Sequence, residues 1–418
     1  MLDIKLIREN PDLVKRGIEK KGVDPKLVDQ FLGVDSAWRE LTQEIEAMRS
    51  EQKKASEARD IEKGKKLKSE VQDKEAELKN LEKERDEILD RLPNLPFRDV
   101  PQGKDESENK VLREVGDVSP FQFPVEDYMA LSEKFDLVDT AKAAEVSGSR
   151  FGYLKNQAVL LEFALIQLAF ETLLPEGFIP IVPPVMIRPE VYRGMGRLAG
   201  DQKEERYYFE KDDLYLVGSS EHTVGPLHFN DVLLEKDLPK RYVSFSTCFR
   251  REAGSYGKDT KGILRVHQFD KVEMFSFVKP EDSEKEHEFF LSLQEKLMDK
   301  LKLPYRVLEI CTGDMGWTDA RQYDIEAWMP GQAHSTGSGW GKYRETHSCS
   351  NTADFQARGI NAKYCNSEGK TDYLHMLNGT AFAIGRVLIA IFENYQTKEG
   401  SIRVPAVLQR YVGQEIIG

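Results

Sequence analysis

The chain has 418 residues, 40% of them hydrophobic and 32% charged, and a formal net charge of -12. That length predicts two or three domains with a large core, and the acidity excludes nucleic-acid binding spread over the whole surface while leaving room for a local basic patch. No apolar run approaches the ~20 residues of a membrane span, the N-terminus MLDIKLIRENPDLVKRG lacks a signal-peptide core, and Cys248, Cys311, Cys349 and Cys365 form no CxxC pair, so a reduced, cytoplasmic protein with no zinc, disulfide framework or membrane partner is expected.

Residues 1 to about 26 predict a short helical lead-in, with Asn10-Pro11-Asp12 as a start and Lys20-Lys21-Gly22 as a stop. Then Phe31, Val34, Trp38, Leu41, Ile45, Met48, Gln52 and Ala55 follow the three-four alternation of a coiled-coil seam. Val71, Lys74, Leu78, Leu81, Arg85, Ile88 and Leu92 repeat it. A charged stretch from Asp60 to Lys68, with Gly64 at its middle, is expected to break the two runs. The pattern predicts an antiparallel helical hairpin over 27–92, about 45 Å long at 1.5 Å per residue. Its seam weakens toward the tip, at Gln52, Ala55 and Lys74, so the tip should be its least stable part. Lys53, Lys54, Arg59, Lys63, Lys65, Lys66 and Lys68 cluster there. Such a cluster suits either a solvated face or contacts to RNA phosphates without base readout. The breaker-rich PNLPFRDVP and QGKDESENK then predict a first domain over 1–100, a linker over 101–115 and a second domain over 116–418.

In the second domain an apolar helix, Leu160 to Leu173, leads into GFIPIVPPV, a strand ending in consecutive prolines. LYLVGSSEH carries Ser219, Ser220 and Glu221. The densest signal runs from Arg241 to Phe277. RYVSFSTCFR and HQFDKVEMFSF alternate as strands do, and they flank the polar loop AGSYGKDTKG. Arg250 and Glu252, two apart, face one side. Glu273 lies in the second strand, with Arg265, His267 and Lys271 near it. These charges sit among Phe249, Phe269, Met274 and Phe275, and buried charge is costly unless paired or bound to a ligand. Asp324 and Glu326 alternate in YDIEAWMPGQ; AHSTGSGWG (333–341) is small and polar; KYRETHSCSN follows, and then DFQAR. LNGTAFAIGRVLIAIFENYQ passes from an Asn-Gly turn into an apolar helix bearing Arg386.

FRREAGSYGKDTKGILRVHQFDKVEMF resembles motif 2 of class II aminoacyl-tRNA synthetases, and in detail that of the seryl-tRNA synthetases, loop included. The helix and strand of 160–185 resemble motif 1, the dimer interface of that class, and 377–396 resembles motif 3. With DFQAR and the closing GSIRVPAVLQRYV, the likeness covers essentially the whole chain. There are departures. Ser219 stands where the family has a threonine, His347 where a small residue is usual, Gly359 where a second arginine is usual, and 333–341 looks inserted.

The resemblance implies an α+β fold: an N-terminal antiparallel coiled-coil hairpin, then a class II catalytic domain on an antiparallel sheet with flanking helices. It implies a homodimer that activates L-serine with ATP and passes serine to the 3′ end of tRNA(Ser), with tRNA(Sec) as a second candidate and no DNA partner. The hairpin would grip the long variable arm of the tRNA. Arg250 would contact the α-phosphate and the serine carboxylate, and Arg386 the γ-phosphate. Ser219, Ser220, Glu221, Glu273, Asn378 and Thr380 would hold serine. Arg251, Glu252, Val266, Phe269, Thr346 and His347 would line the ATP site, with Glu252 on the adenine amino group and Phe269 on its ring. Glu345 and Ser348 would hold Mg2+ and phosphate. Relatives that load a carrier protein lack the heptad arm. A non-catalytic RNA-binding relative is disfavoured by the intact Arg250, Glu252, Glu273, Glu345 and Arg386.

Overall fold

The computed structural model describes residues 1–118, 121–253, 261–332 and 341–418. Most of the loop read as AGSYGKDTKG (254–260) and most of the inserted segment (333–340) lie outside the described residues. The chain divides into two compact units, Met1–Leu95 and Pro96–Gly418.

In the first unit two short helices, Ile4–Glu9 and Pro11–Glu19, precede α1 (Lys26–Glu57) and α2 (Ile61–Asp90). The heptad seam closes as read: Leu41, Ile45 and Val71 are buried, with Met48, Leu78 and Leu81 packed against them. Two of its polar positions, Arg85 and Lys74, find partners. The Arg85 guanidinium lies 4.3 Å from the centroid of the Trp38 ring, and Lys74 Nζ is 2.8 Å from Glu44 Oε2. The break is much shorter than the charged stretch suggested. Asp60 accepts a hydrogen bond from Lys63 N at 3.0 Å and caps α2, so Gly64 falls inside the helix. A good N-cap contributes about 1 kcal/mol, enough to offset one interior glycine.

The second unit is built on eight strands: β1 (Lys110–Val115), β2 (Phe178–Ile181), β3 (Lys240–Phe249), β4 (Gln268–Val278), β5 (Tyr305–Glu309), β6 (Arg321–Met329), β7 (Lys342–Asn351) and β8 (His375–Ala383). Their order is β1-β5-β6-β7-β8-β4-β3-β2, antiparallel throughout except for the β2–β3 pair. The segment expected to be a linker thus supplies an edge strand. Leu112 and Val115 of β1 pack on the core, and the polar residues around them had hidden the strand. Three helices cover one face of the sheet: α3 (Gln157–Leu173), α4 (Ser283–Leu301) and α5 (Ile384–Asn394). Residues 157–176 are, contrary to expectation, long and apolar enough to cross a membrane by length and composition. Here Leu161, Leu165, Leu168 and Leu173 are buried in the core, with Val272 and Met274 of β4.

Strand alternation sends Lys271, Glu273, Phe275 and Phe277 to the other face. Phe275 and Phe277 join Met195, Val224 and Ile360 in a smaller core, while Lys271 and Glu273 face a cavity. Two register shifts shape that face. One lies between Val272 and Glu273 against β8, where Ala381 is the extra residue. The other lies between Ile325 and Glu326 against β7, where Thr346 is the extra residue.

Candidate active site

The cavity on this face has a volume of about 570 Å3. Arg250 follows β3, and its Nε donates to the Gly218 carbonyl at 3.1 Å. Its backbone is tied to His267, whose Nδ1–H donates to the Arg250 carbonyl at 3.0 Å. The guanidinium carbon lies 5.2 Å from the centroid of the Phe269 ring. Glu252 adopts φ +52°, a conformation that costs a residue other than glycine about 1–3 kcal/mol, and such strain clusters at functional sites. Its carboxylate is 2.8 Å from Arg265 NH1. Val266 lines the cavity beside them.

At one end lies a buried ionic cluster. Glu221 opens a short helix, Glu221–Val224, and is paired with Arg197. The His222 ring completes the contact: Nε2–H donates to Glu221 Oε1 at 3.2 Å, while Nδ1 faces Tyr192 OH at 3.0 Å and accepts from Gly218 N at 3.2 Å. Burial pulls His222 down to about 3, which keeps it neutral in this tautomer. Burial alone would raise the Glu221 carboxyl, but Arg197, His222 and Lys271 hold it well below its usual range. Glu273 differs. Burial pushes it up to about 7 against Lys271, with Glu221 adding to the rise. Thr380 Oγ1 is 3.5 Å from Glu273 Oε2, and among the described residues the buried Asn378 Nδ2 has no hydrogen-bond partner. Ser219 lines the cavity and its Oγ accepts from Glu221 N at 3.3 Å.

At the other end the bulge at Thr346 lets Glu345 and Ser348 face the same side, although an odd spacing in a regular strand would set them on opposite faces. Arg386, from α5, places NH1 2.9 Å from Glu345 Oε2. Gln322 Nε2 bridges Asp324 Oδ1 at 2.9 Å and Ser348 Oγ at 3.3 Å. Burial, with Glu345 beside it, pushes the Asp324 carboxyl well above its usual value. Among the described residues no group of three His, Cys, Asp or Glu could hold a metal by itself. Glu345 and Ser348 suit Mg2+, which takes one or two protein oxygens and completes its shell with water and phosphate.

Three residues expected at the site do not line the cavity. Ser220 is buried with its Oγ 2.8 Å from Ser244 Oγ, Arg251 is exposed, and His347 points through the sheet toward Phe382. Strand alternation between Thr346 and Ser348 was the signal that sets His347 apart. Conversely, Arg197, Arg206, Lys271, Asp319 and Gln322 line it without having been assigned to it. Lys271 could have been found from its spacing to Glu273. The others sit in segments whose local pattern carries no mark of the site.

Known proteins share this arrangement of domains. Residues 1–96 match the seryl-tRNA synthetase N-terminal domain, and residues 207–395 match the tRNA synthetase class II core domain (G, H, P, S and T). A serine–tRNA ligase of Dictyoglomus turgidum is 44% identical over 425 residues, spanning 99% of this chain and 98% of that protein. The crystal structure of seryl-tRNA synthetase from Pyrococcus horikoshii complexed with ATP superposes with a TM-score of 0.90 at 40% identity, covering 100% of this chain and 99% of that one. The cytoplasmic serine–tRNA ligase from Naegleria fowleri in complex with AMP gives 0.87 at 32%, covering 100% and 98%.

Proposed function

The chain belongs to the seryl-tRNA synthetases, and from that premise we propose how its own residues carry the reaction. The enzyme activates serine with ATP and charges tRNA. In the first step a serine carboxylate oxygen bonds to the α-phosphorus, and the bond from that phosphorus to the bridging oxygen breaks. Pyrophosphate leaves with the electron pair. The nucleophile is already ionised, so no general base is needed. What the site must supply is orientation and fixed positive charge where negative charge gathers.

Arg250 supplies the charge at the α-phosphate, its guanidinium forking two oxygens as a lysine could not. Phe269, Val266 and Glu252 hold the adenine, and Arg386 holds the γ-phosphate. Mg2+ held by Glu345 and Ser348 would neutralise phosphate charge when bound. Ionised Glu221 and Glu273 receive the serine ammonium. Asn378 and Thr380 complete the hydroxyl site, which the unpaired Asn378 Nδ2 supports. The observation that carries this reading is the convergence of Arg250, Glu273, Glu345 and Arg386, far apart in sequence, on one cavity.

The same reading makes 1–100 the tRNA-binding domain, its hairpin the gripping arm, and tRNA(Ser) the partner; a charging assay with tRNA(Sec) decides whether that is a second one. Exposed Phe163 on the helix of motif 1, Ile179 on its strand and Val182 just after it support a homodimer. Four free cysteines fit work in the cytoplasm.

The test is serine-dependent ATP–pyrophosphate exchange with a panel of amino acids. Serine should exceed alanine by about 10^4-fold, because alanine leaves the buried polar groups unpaired. Exchange driven best by threonine, cysteine or alanine would refute the pocket.

A further inference from the structure

A half-buried arginine of the cavity remains without a role. Arg206 lies in KEERYYF, which has no motif character, yet it lines the cavity. Its Nε is buried, and among the described residues it makes neither a hydrogen bond nor an ion pair. Its contact is with the face of Tyr192, whose ring centroid is 5.6 Å from the guanidinium carbon. Gly218 explains how it gets so deep. A Cβ at that position would lie 2.6 Å from Arg206 NH1 and 3.5 Å from Arg250 Cγ, so the two arginines crowd one glycine. Arg197 stands close too, but it is taken by Glu221. Burial, with Arg250 and Arg197 adding like charge, lowers the Arg206 pKa against the opposing influence of Tyr192 and Glu221. A half-buried cation with two cationic neighbours and no direct ion pair among the described residues is costly unless a ligand brings the anion.

We propose that Arg206 is a second anion-binding guanidinium of this site, acting beside Arg250 on the oxygens where serine and nucleotide are joined. The inference rests on the seryl-adenylate reading above. Two sources share that chemistry, the serine carboxylate and the α-phosphate.

The experiment uses the full chain, with Arg206→Met and Arg206→Lys compared with wild type. Equilibrium binding is measured for serine, for ATP and for a seryl-sulfamoyl adenosine that cannot react. Arg206→Met should bind the adenylate mimic about 10- to 100-fold more weakly, the loss of a charge-assisted hydrogen bond. A loss confined to serine names the carboxylate, a loss confined to ATP names the α-phosphate, and a loss in both makes Arg206 a bridge. Arg206→Lys should recover part of the loss, since it keeps the charge without the fork. If all three affinities stay within twofold, Arg206 only stacks on Tyr192 and the proposal is overturned, whatever the melting temperature does. Should the methionine variant not fold, the lysine variant decides: parity with wild type overturns the proposal. Wild type without serine-dependent exchange would instead defeat the reading of the site.

Discussion

Lys271 Nζ stands 2.5 Å from Oε2 of Glu273, two residues along the same strand, and both side chains are buried. Burial pushes the Glu273 carboxyl up to about 7, with Lys271 opposing and Glu221 reinforcing the rise. Serine's ammonium needs the carboxylate, and the acid form dominates below that value. The KM for serine should therefore rise as pH falls through about 7, toward tenfold per unit, and level off about one unit above it. Glu273→Gln should raise KM and abolish the pH dependence. Exchange kinetics between about pH 6 and about pH 8 check this; a flat serine KM in wild type contradicts it.

Arg250 is held by the Gly218 carbonyl and the Phe269 ring, so its charge is set in place before substrate arrives. Arg250→Ala should lower serine-dependent exchange by about 10^2- to 10^3-fold. Arg250→Lys should recover little, lacking the fork. Near-normal exchange in the alanine variant would remove Arg250 from its role.

The basic residues at the hairpin tip are exposed, and Lys63 and Lys66 already face Glu51 and Glu70 at 3.8 Å. Replacing Lys53, Lys54, Lys65 and Lys68 with alanine should spare exchange but weaken tRNA charging. The slope of log affinity against log salt should flatten by about 0.7–0.9 for each phosphate that is no longer neutralised. Unchanged charging would make the arm a spacer. Deleting residues 35–90 should have the same sign and a larger effect.

Asp35, fully buried, accepts from Arg8 NH2 at 2.7 Å and Arg39 Nε at 3.1 Å. Burial would raise its carboxyl, but Arg8 and Arg39 hold it below its usual value. A lowered folded value means the stabilisation is present above the unfolded carboxyl range and lost as pH falls through the folded one. Asp35→Ala should destabilise the first unit by about 1–3 kcal/mol at neutral pH, and by less in acid. Thermal unfolding at the two pH values measures it; equal losses would contradict the charge argument.

Much of this was open to reading in the chain itself. The three-four spacing from Phe31 to Leu92 specified a hairpin because a seam repeats in sequence what it buries in space. The strands around Arg250 and Glu273 were legible because alternation is a period of two. Two local rules decide against the expectation: the Asp60 cap, which starts α2 at the head of the charged stretch, and the alternation that turns His347 away. The edge strand at 110–115 could not be read from its residues, because its stability comes from pairing with Tyr305–Glu309, far along the chain.

The sequence alone thus determined the arm, the motif strands and which residue types could handle a nucleotide and an amino acid, because those depend on short-range periodicity and side-chain chemistry. Only the tertiary structure decided which charges meet. Arg197 beside Glu221, Arg206 beside Arg250, and Glu345 turned to the same side as Ser348 depend on a glycine, a bulge and the closure of a sheet. Electrostatic energy falls with distance through space and takes no account of separation along the chain.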